Sequence, residues 1–169
     1  KLASDTGQGS KCLQMLIYTA VRSGEVRKAE WSDIDLNQAL WTIPAEKMKN
    51  GKIHRVPLSK PCLSLLRSLP VLPKTDLVFH SDRNGVLSDV AVSKALRKYV
   101  SGPTVHGMRS SFRQWCAEQT SHPDTVCELA LAHTPQDKLQ AIYQRSDLYD
   151  RRVGLMQEWG AFLLRDVDE

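Results

Sequence analysis

The chain has 169 residues, 41% apolar and 25% charged, with a formal net charge of +4. That length and balance fit one globular domain with its own core and exclude disordered, collagenous and fibrous classes. The basic excess is mild, so it permits a polyanionic partner without requiring one.

Leu13, Leu16, Ile17, Ala20 and Val21 recur at helical spacing and predict a helix over residues 10–21, stopping near Ser23-Gly24. A second short helix is expected over 25–30. Ile34, Leu40, Trp41, Ile43, Ile53 and Val56 sit among turn residues, and Asn50-Gly51 is a hairpin signal. They predict a small antiparallel sheet between 32 and 58. Ser59 is placed to cap a helix running to 68. Pro70, Pro73 and the run Ser81-Asp82-Arg83-Asn84-Gly85 read as loops around the apolar segment Leu77-Val78-Phe79. A helical pattern follows Ser88 to about Tyr99, and Ser101-Gly102-Pro103 breaks it. Four helical pieces come next, over 106–119, 124–132, 136–144 and 146–164. The last is amphipathic, with Leu148, Val153, Met156, Trp159, Phe162 and Leu163 near one stripe. The fold class expected is mainly α with a small antiparallel β-sheet (α+β), in a single domain.

No apolar run is long enough to span a bilayer. The start, Lys1-Leu2-Ala3-Ser4-Asp5, lacks the pattern of a secretory leader. Cys12, Cys62, Cys116 and Cys127 are scattered without a C-x-x-C pair, so reduced thiols in a cytoplasmic protein are expected.

Four segments carry reactive polar side chains. In Thr19-Ala20-Val21-Arg22-Ser23-Gly24-Glu25, a carboxylate three residues after Arg22 can fix the arginine fork in one orientation. In Lys49-Asn50-Gly51-Lys52-Ile53-His54-Arg55-Val56-Pro57-Leu58, a cation-rich tip can reach a DNA groove, and a lysine there can protonate a leaving oxygen. In His106-Gly107-Met108-Arg109, spacing of three puts two donors on one helix face, suited to a phosphate oxygen. In Leu131-Ala132-His133, a histidine precedes Tyr143 by ten residues. Alone, these segments read as an ion pair, a solvated turn, a polar helix start, and a capping histidine with a packing tyrosine.

Their order is more informative. Arg, Lys, His-x-x-Arg, His and Tyr over this length resemble the tyrosine recombinases. The wording TAVRSGEVRKAEWSDID, MKNGKIHRVPLS, HGMRSSFRQW and LAHTPQDKLQAIYQRSD is similar to the integrases of phages and genomic islands. The resemblance runs from about Leu13 to Arg152. It implies the catalytic-domain fold of that family. It implies that Arg22 and Arg109 clamp the scissile phosphate and that Lys49 protonates the departing 5′ oxygen. His106 would accept a proton or a hydrogen bond, His133 would bond the phosphate, and Tyr143 would attack phosphorus. Glu25 would orient Arg22. Lys47 and Lys52 stay open as alternatives to Lys49. Ala132-His133 stands where many relatives have Gly-His.

The resemblance also implies double-stranded attachment-site DNA as partner, a homo-oligomer on DNA with a tetramer expected, accessory DNA-bending proteins, and association with the bacterial nucleoid. No cofactor, metal or membrane is expected. The chain reads as an isolated catalytic domain over 1–169 without the N-terminal DNA-binding domains. Its C-terminal helix over 146–165 is equally suited to docking on its own core or on a neighbour. The rivals are a type IB topoisomerase, a non-catalytic DNA-binding module, and a metal hydrolase using His106, His122, Cys127 or His133. The last lacks a standard ligand spacing.

Overall fold

Helix α1 (Gln8–Thr19) is the spine of the molecule. Its residues Cys12, Leu13, Met15 and Leu16 are all at most 1% exposed, because it is covered from several sides. Helices α3 (Lys60–Arg67), α4 (Asp89–Arg97) and the C-terminal α7 (Tyr149–Phe162) pack against it. The computed structural model describes residues 1–133 and 146–165. Tyr143 and the helix expected over 136–144 lie outside the described residues.

The first helix stops earlier than its sequence predicts. Ala20, not Ser23-Gly24, ends it, at φ 53° in the left-handed region. Thr19 Oγ1 donates back to the Met15 carbonyl at 2.7 Å. Helix α2 is the single turn Ser23–Val26, shorter than the 25–30 expected. The chain leaves it early because Glu30 bridges to Leu77 in an extended contact.

The sheet has the order β1-β2-β3, all antiparallel, formed by β1 (Ile34–Asp35), β2 (Leu40–Ile43) and β3 (His54–Pro57). Ile34 faces Trp41, Trp41 faces Val56 and Ile43 faces His54. Trp41, Ile43 and Val56 alternate onto the buried face, as a half-covered sheet requires. Asn50-Gly51 is not a two-residue hairpin. The β2–β3 connection occupies residues 44–53 and begins with the short turn Ala45–Lys47. Lys47 binds Glu30 at 2.5 Å and Asp33 at 2.6 Å, which pulls the connection back on the preceding loop. The tight turn lies further out, with Gly51 at φ 64°.

Ser88 caps α4, accepting from the Ala91 amide at 3.2 Å. Ser59 precedes α3 without capping it through its side chain, and its buried hydroxyl has no partner among the described residues. Helix α7 presses on this spot. A Cβ on Gly160 would come within 2.8 Å of the Ser59 side chain, so only glycine fits.

A second core joins α5 (Gly107–Gln119), α6 (Asp124–Ala130) and α7. Its centre is aromatic: Trp115 lies 5.0 Å from Trp159, and Phe112 meets Trp159 edge-on at 5.3 Å. Trp159 Nε1 donates to the Ile17 carbonyl at 2.8 Å, tying this core to α1. Helix α7 therefore packs on its own chain, and starts at Tyr149 rather than 146 because Leu148 takes φ 49°. All four cysteines are buried free thiols. Among the described residues, no helix is long and apolar enough to cross a membrane.

Candidate active site

Arg109 is the centre of the site. It lies in the first turn of α5, is 5% exposed, and no carboxylate pairs with it among the described residues. Nη1 donates to the Ala20 carbonyl, and Nη2 donates to the Leu131 carbonyl at 2.8 Å. Both acceptors are freed by helix ends, which leave carbonyls without an intrahelical partner. The left-handed Ala20 closes α1, and α6 closes in the same manner. There the Ala132 amide donates to the Leu129 carbonyl and the His133 amide to the Glu128 carbonyl, each at 3.0 Å, with Ala132 at φ 51°. This is a Schellman closure. A buried guanidinium thus joins three helices through backbone oxygens.

Burial pushes Arg109 down to about 10, and the neighbouring Arg22 charge adds to the effect. The carboxylates of Glu25 and Glu128 act on it in the opposite sense, and a buried guanidinium with a second cation nearby is suited to an anion. Arg22 precedes α2 and is partly exposed. Its Nη1 donates to Glu25 Oε1 at 3.3 Å, and the buried Glu25 also accepts from the Arg22 amide. Glu25 therefore holds Arg22 in place by two contacts.

His133 Nε2 lies 3.2 Å from Arg109 Nη2, and its Nδ1 lies 2.6 Å from Glu128 Oε2. Glu128 is held in turn by Arg113 Nε at 2.7 Å, and Arg113 also meets Asp124 at 2.8 Å. His106 is exposed just ahead of α5. With Arg109, Ser110, Arg113, Gln114 and His133 it lines an open cleft of about 550 Å³.

The structure therefore brings His106, Arg109 and His133 to one cleft, with the Arg22–Glu25 pair outside its lining but near enough for both charges to act on Arg109. Lys49 does not line this cleft. It is exposed on the β2–β3 connection, whereas Lys47 is engaged with Glu30 and Asp33, which outweigh burial and raise its pKa. His122, from the metal-hydrolase rival, pairs with Glu158 at 3.1 Å.

Sequence reasoning did not single out Arg113, Glu128, Asp147 or Arg152. Glu128 left one trace, a lone carboxylate in the apolar run Val126 to Leu131. Arg152 is 1% exposed on α7 and donates to the Arg55 carbonyl, and to Asp147 through its carbonyl and carboxylate, both at 2.8 Å. Arg55 binds Asp147 through two contacts of 2.6 and 2.8 Å. The start of α7 is thereby fastened to β3.

Residues 4–148 match the model of the phage integrase family. The prophage integrase IntA of Escherichia coli K12 is 33% identical over 165 residues, covering 94% of this chain and 40% of that protein. The crystal structure of XerA recombinase superposes with a TM-score of 0.65 at 17% identity, over 99% of this chain and 59% of that one. A lambda integrase tetramer bound to a Holliday junction superposes with a TM-score of 0.58 at 23% identity, over 85% of this chain and 44% of that one. The α+β fold read from the sequence is the fold of these structures. The chain spans well under half of its curated relative, and on the match over residues 4–148 it belongs to the phage integrase family.

Proposed function

We propose that the chain is the catalytic domain of a tyrosine recombinase, which cuts and rejoins attachment-site DNA to integrate or excise a mobile element. The observation that carries this reading is the convergence on Arg109 of three segments distant in sequence: Ala20 to Glu25, the start of α5, and Leu131 to His133.

Phosphoryl transfer asks a protein mainly to position the groups and to neutralise developing charge. Arg22 and Arg109 hold the non-bridging oxygens of the scissile phosphate, each as a flat multi-donor fork. His106 accepts a proton or a hydrogen bond, and His133 bonds the phosphate. Glu25 orients Arg22. Tyr143, taken from the sequence pattern, attacks phosphorus. Its reference pKa is ~10, so the surrounding cations are needed to favour the phenolate. Lys49 protonates the 5′ oxygen as it leaves. The engagement of Lys47 with two carboxylates favours Lys49 over Lys47 for that role, and Lys52, exposed on the same connection, stays the alternative. The resulting 3′-phosphotyrosine keeps the bond energy of the cut strand, so a 5′-hydroxyl from another strand can rejoin it without ATP.

Double-stranded DNA is the partner and a homo-oligomer on DNA the working form, with a tetramer supported by the lambda integrase assembly on a Holliday junction. The protein would work at the nucleoid, with accessory DNA-bending proteins assisting. A nicked attachment-site duplex, whose cleaved strand diffuses away, should trap a covalent protein–DNA adduct. Tyr143→Phe should abolish it while DNA binding persists. An adduct that survives in the variant would overturn the assignment.

A further inference from the structure

Glu128 and Arg113 stand beside the site without a role in the steps above. Glu128 meets His133 twice: its carbonyl accepts the His133 amide at 3.0 Å, and its carboxylate lies 2.6 Å from the His133 ring. The Schellman closure of α6 thus brings ring and carboxylate together. The chemistry of the partners fixes the proton. A carboxylate can only accept and a guanidinium can only donate. Glu128 faces Nδ1 and Arg109 faces Nε2, so the proton sits on Nδ1 and Nε2 is bare. Burial alone would raise the Glu128 pKa, but the bonds from His133 and Arg113 outweigh it and the pKa is lowered. Glu128 therefore stays an anion, with Arg113 on one oxygen and His133 on the other.

We propose that Glu128 is a positioning residue of this site: held by Arg113, its carboxylate sets the tautomer and orientation of His133, so that Nε2 faces Arg109 and the cleft. In that position Nε2 buttresses the phosphate-binding arginine. When Nε2 turns to a phosphate oxygen it must carry a proton, and the ring is then a cation whose charge lies against Glu128. Carboxylate partners orient metal-bound histidines by the same logic. The proposal rests on reading the cleft as a phosphate site, but its first test does not.

That test is the tautomer of His133, read by nitrogen-15 NMR of the imidazole in the free protein. Wild type should show the Nδ1–H form. Glu128→Ala should shift it toward Nε2–H, and Glu128→Gln, whose carbonyl can still accept from Nδ1, should keep it. An Nε2–H ring in wild type, or an unchanged ring in a folded Glu128→Ala, would overturn the proposal. The wild-type reading decides the matter even where the alanine variant does not fold.

The second test is single-turnover cleavage of the nicked duplex. Glu128→Ala should slow cleavage by roughly 10–100-fold, the usual effect of losing such a partner, with DNA affinity unchanged. In a His133→Ala background the same change should have almost no further effect, since residues acting through one another are not additive. An equal loss in both backgrounds would overturn the coupling. If wild type forms no adduct at all, the phosphate-site reading fails, while the tautomer result still stands or falls by itself.

Discussion

At the scale of single residues, the site is held by backbone strain and buried polarity. Ala132 takes φ 51° at the position of the α6 closure where glycine is usual. A Cβ in that region costs roughly 1–2 kcal/mol, while the freer unfolded chain of a glycine returns about 0.4–1 kcal/mol. Ala132→Gly should therefore raise stability by about 0.5–1 kcal/mol, visible as a higher urea midpoint at unchanged slope. A lower midpoint would show that the alanine methyl does more in packing than it costs in strain.

His54 is a buried polar residue of another kind. It is 8% exposed on β3, and its Nε2 has no partner among the described residues. Burial, and then the charge of Arg152, lowers its pKa from 6.5 to about 4. A base depressed in the fold binds its proton more readily when unfolded, so stability rises with pH between those values. Acidification from pH 6.5 toward 4 should thus remove on the order of 3 kcal/mol through this group. His54→Gln should flatten that part of the stability–pH curve. A curve as steep as wild type would assign the acid sensitivity elsewhere.

At the scale of elements, the β2–β3 connection separates two lysines that look alike in sequence. Lys47 is half-buried between Glu30 and Asp33, whereas Lys49 is exposed. Lys47→Ala leaves two carboxylates facing each other and should cost about 1–3 kcal/mol of stability. Lys49→Ala should change stability by less than about 0.5 kcal/mol, as exposed substitutions do. If Lys49 protonates the leaving oxygen, its loss should nevertheless reduce cleavage severely, and a substrate with a 5′-bridging sulfur, whose leaving group needs no proton, should restore the rate. The opposite pattern, with the rescue seen for Lys47→Ala, would exchange the two roles.

Much of this element structure was legible in the residues. Apolar residues set among turn residues between 32 and 58 pointed to the sheet, helical spacing gave α1, a helical pattern after Ser88 gave α4, and α5 and α6 fall within the pieces read as helical over 106–119 and 124–132. Element ends were less legible, because tertiary partners set them. Ala20 ends α1 where Arg109 can reach its carbonyl, and Lys47 lengthens a connection that Asn50-Gly51 alone would have made tight. Glu128 escaped notice for a related reason. Its partners, Arg113 and His133, are 15 and 5 residues away, and neither separation is a helix repeat.

At the scale of the whole molecule, two cores meet where the site lies. One is built on α1, α3, α4 and the sheet, the other on α5, α6 and α7. Arg109 crosses between them, from α5 to the end of α1. The chain that follows the Tyr143 segment is also anchored, because Arg152 and Asp147 fasten the start of α7 to β3. Order along the sequence pointed to the six proposed site residues, and the ends of α1 and α6 explain why Arg109 meets His133 with the charge of Arg22 close by.

In the proposed reaction Tyr143 carries the DNA through a phosphate. The most direct measurement is peptide mapping of the adduct trapped on a nicked attachment-site duplex. Mapping should return a single modified peptide containing Tyr143, linked to a 3′-phosphate, with a free 5′-hydroxyl on the released strand. Attachment at any other residue, or through a 5′-phosphate, would contradict it.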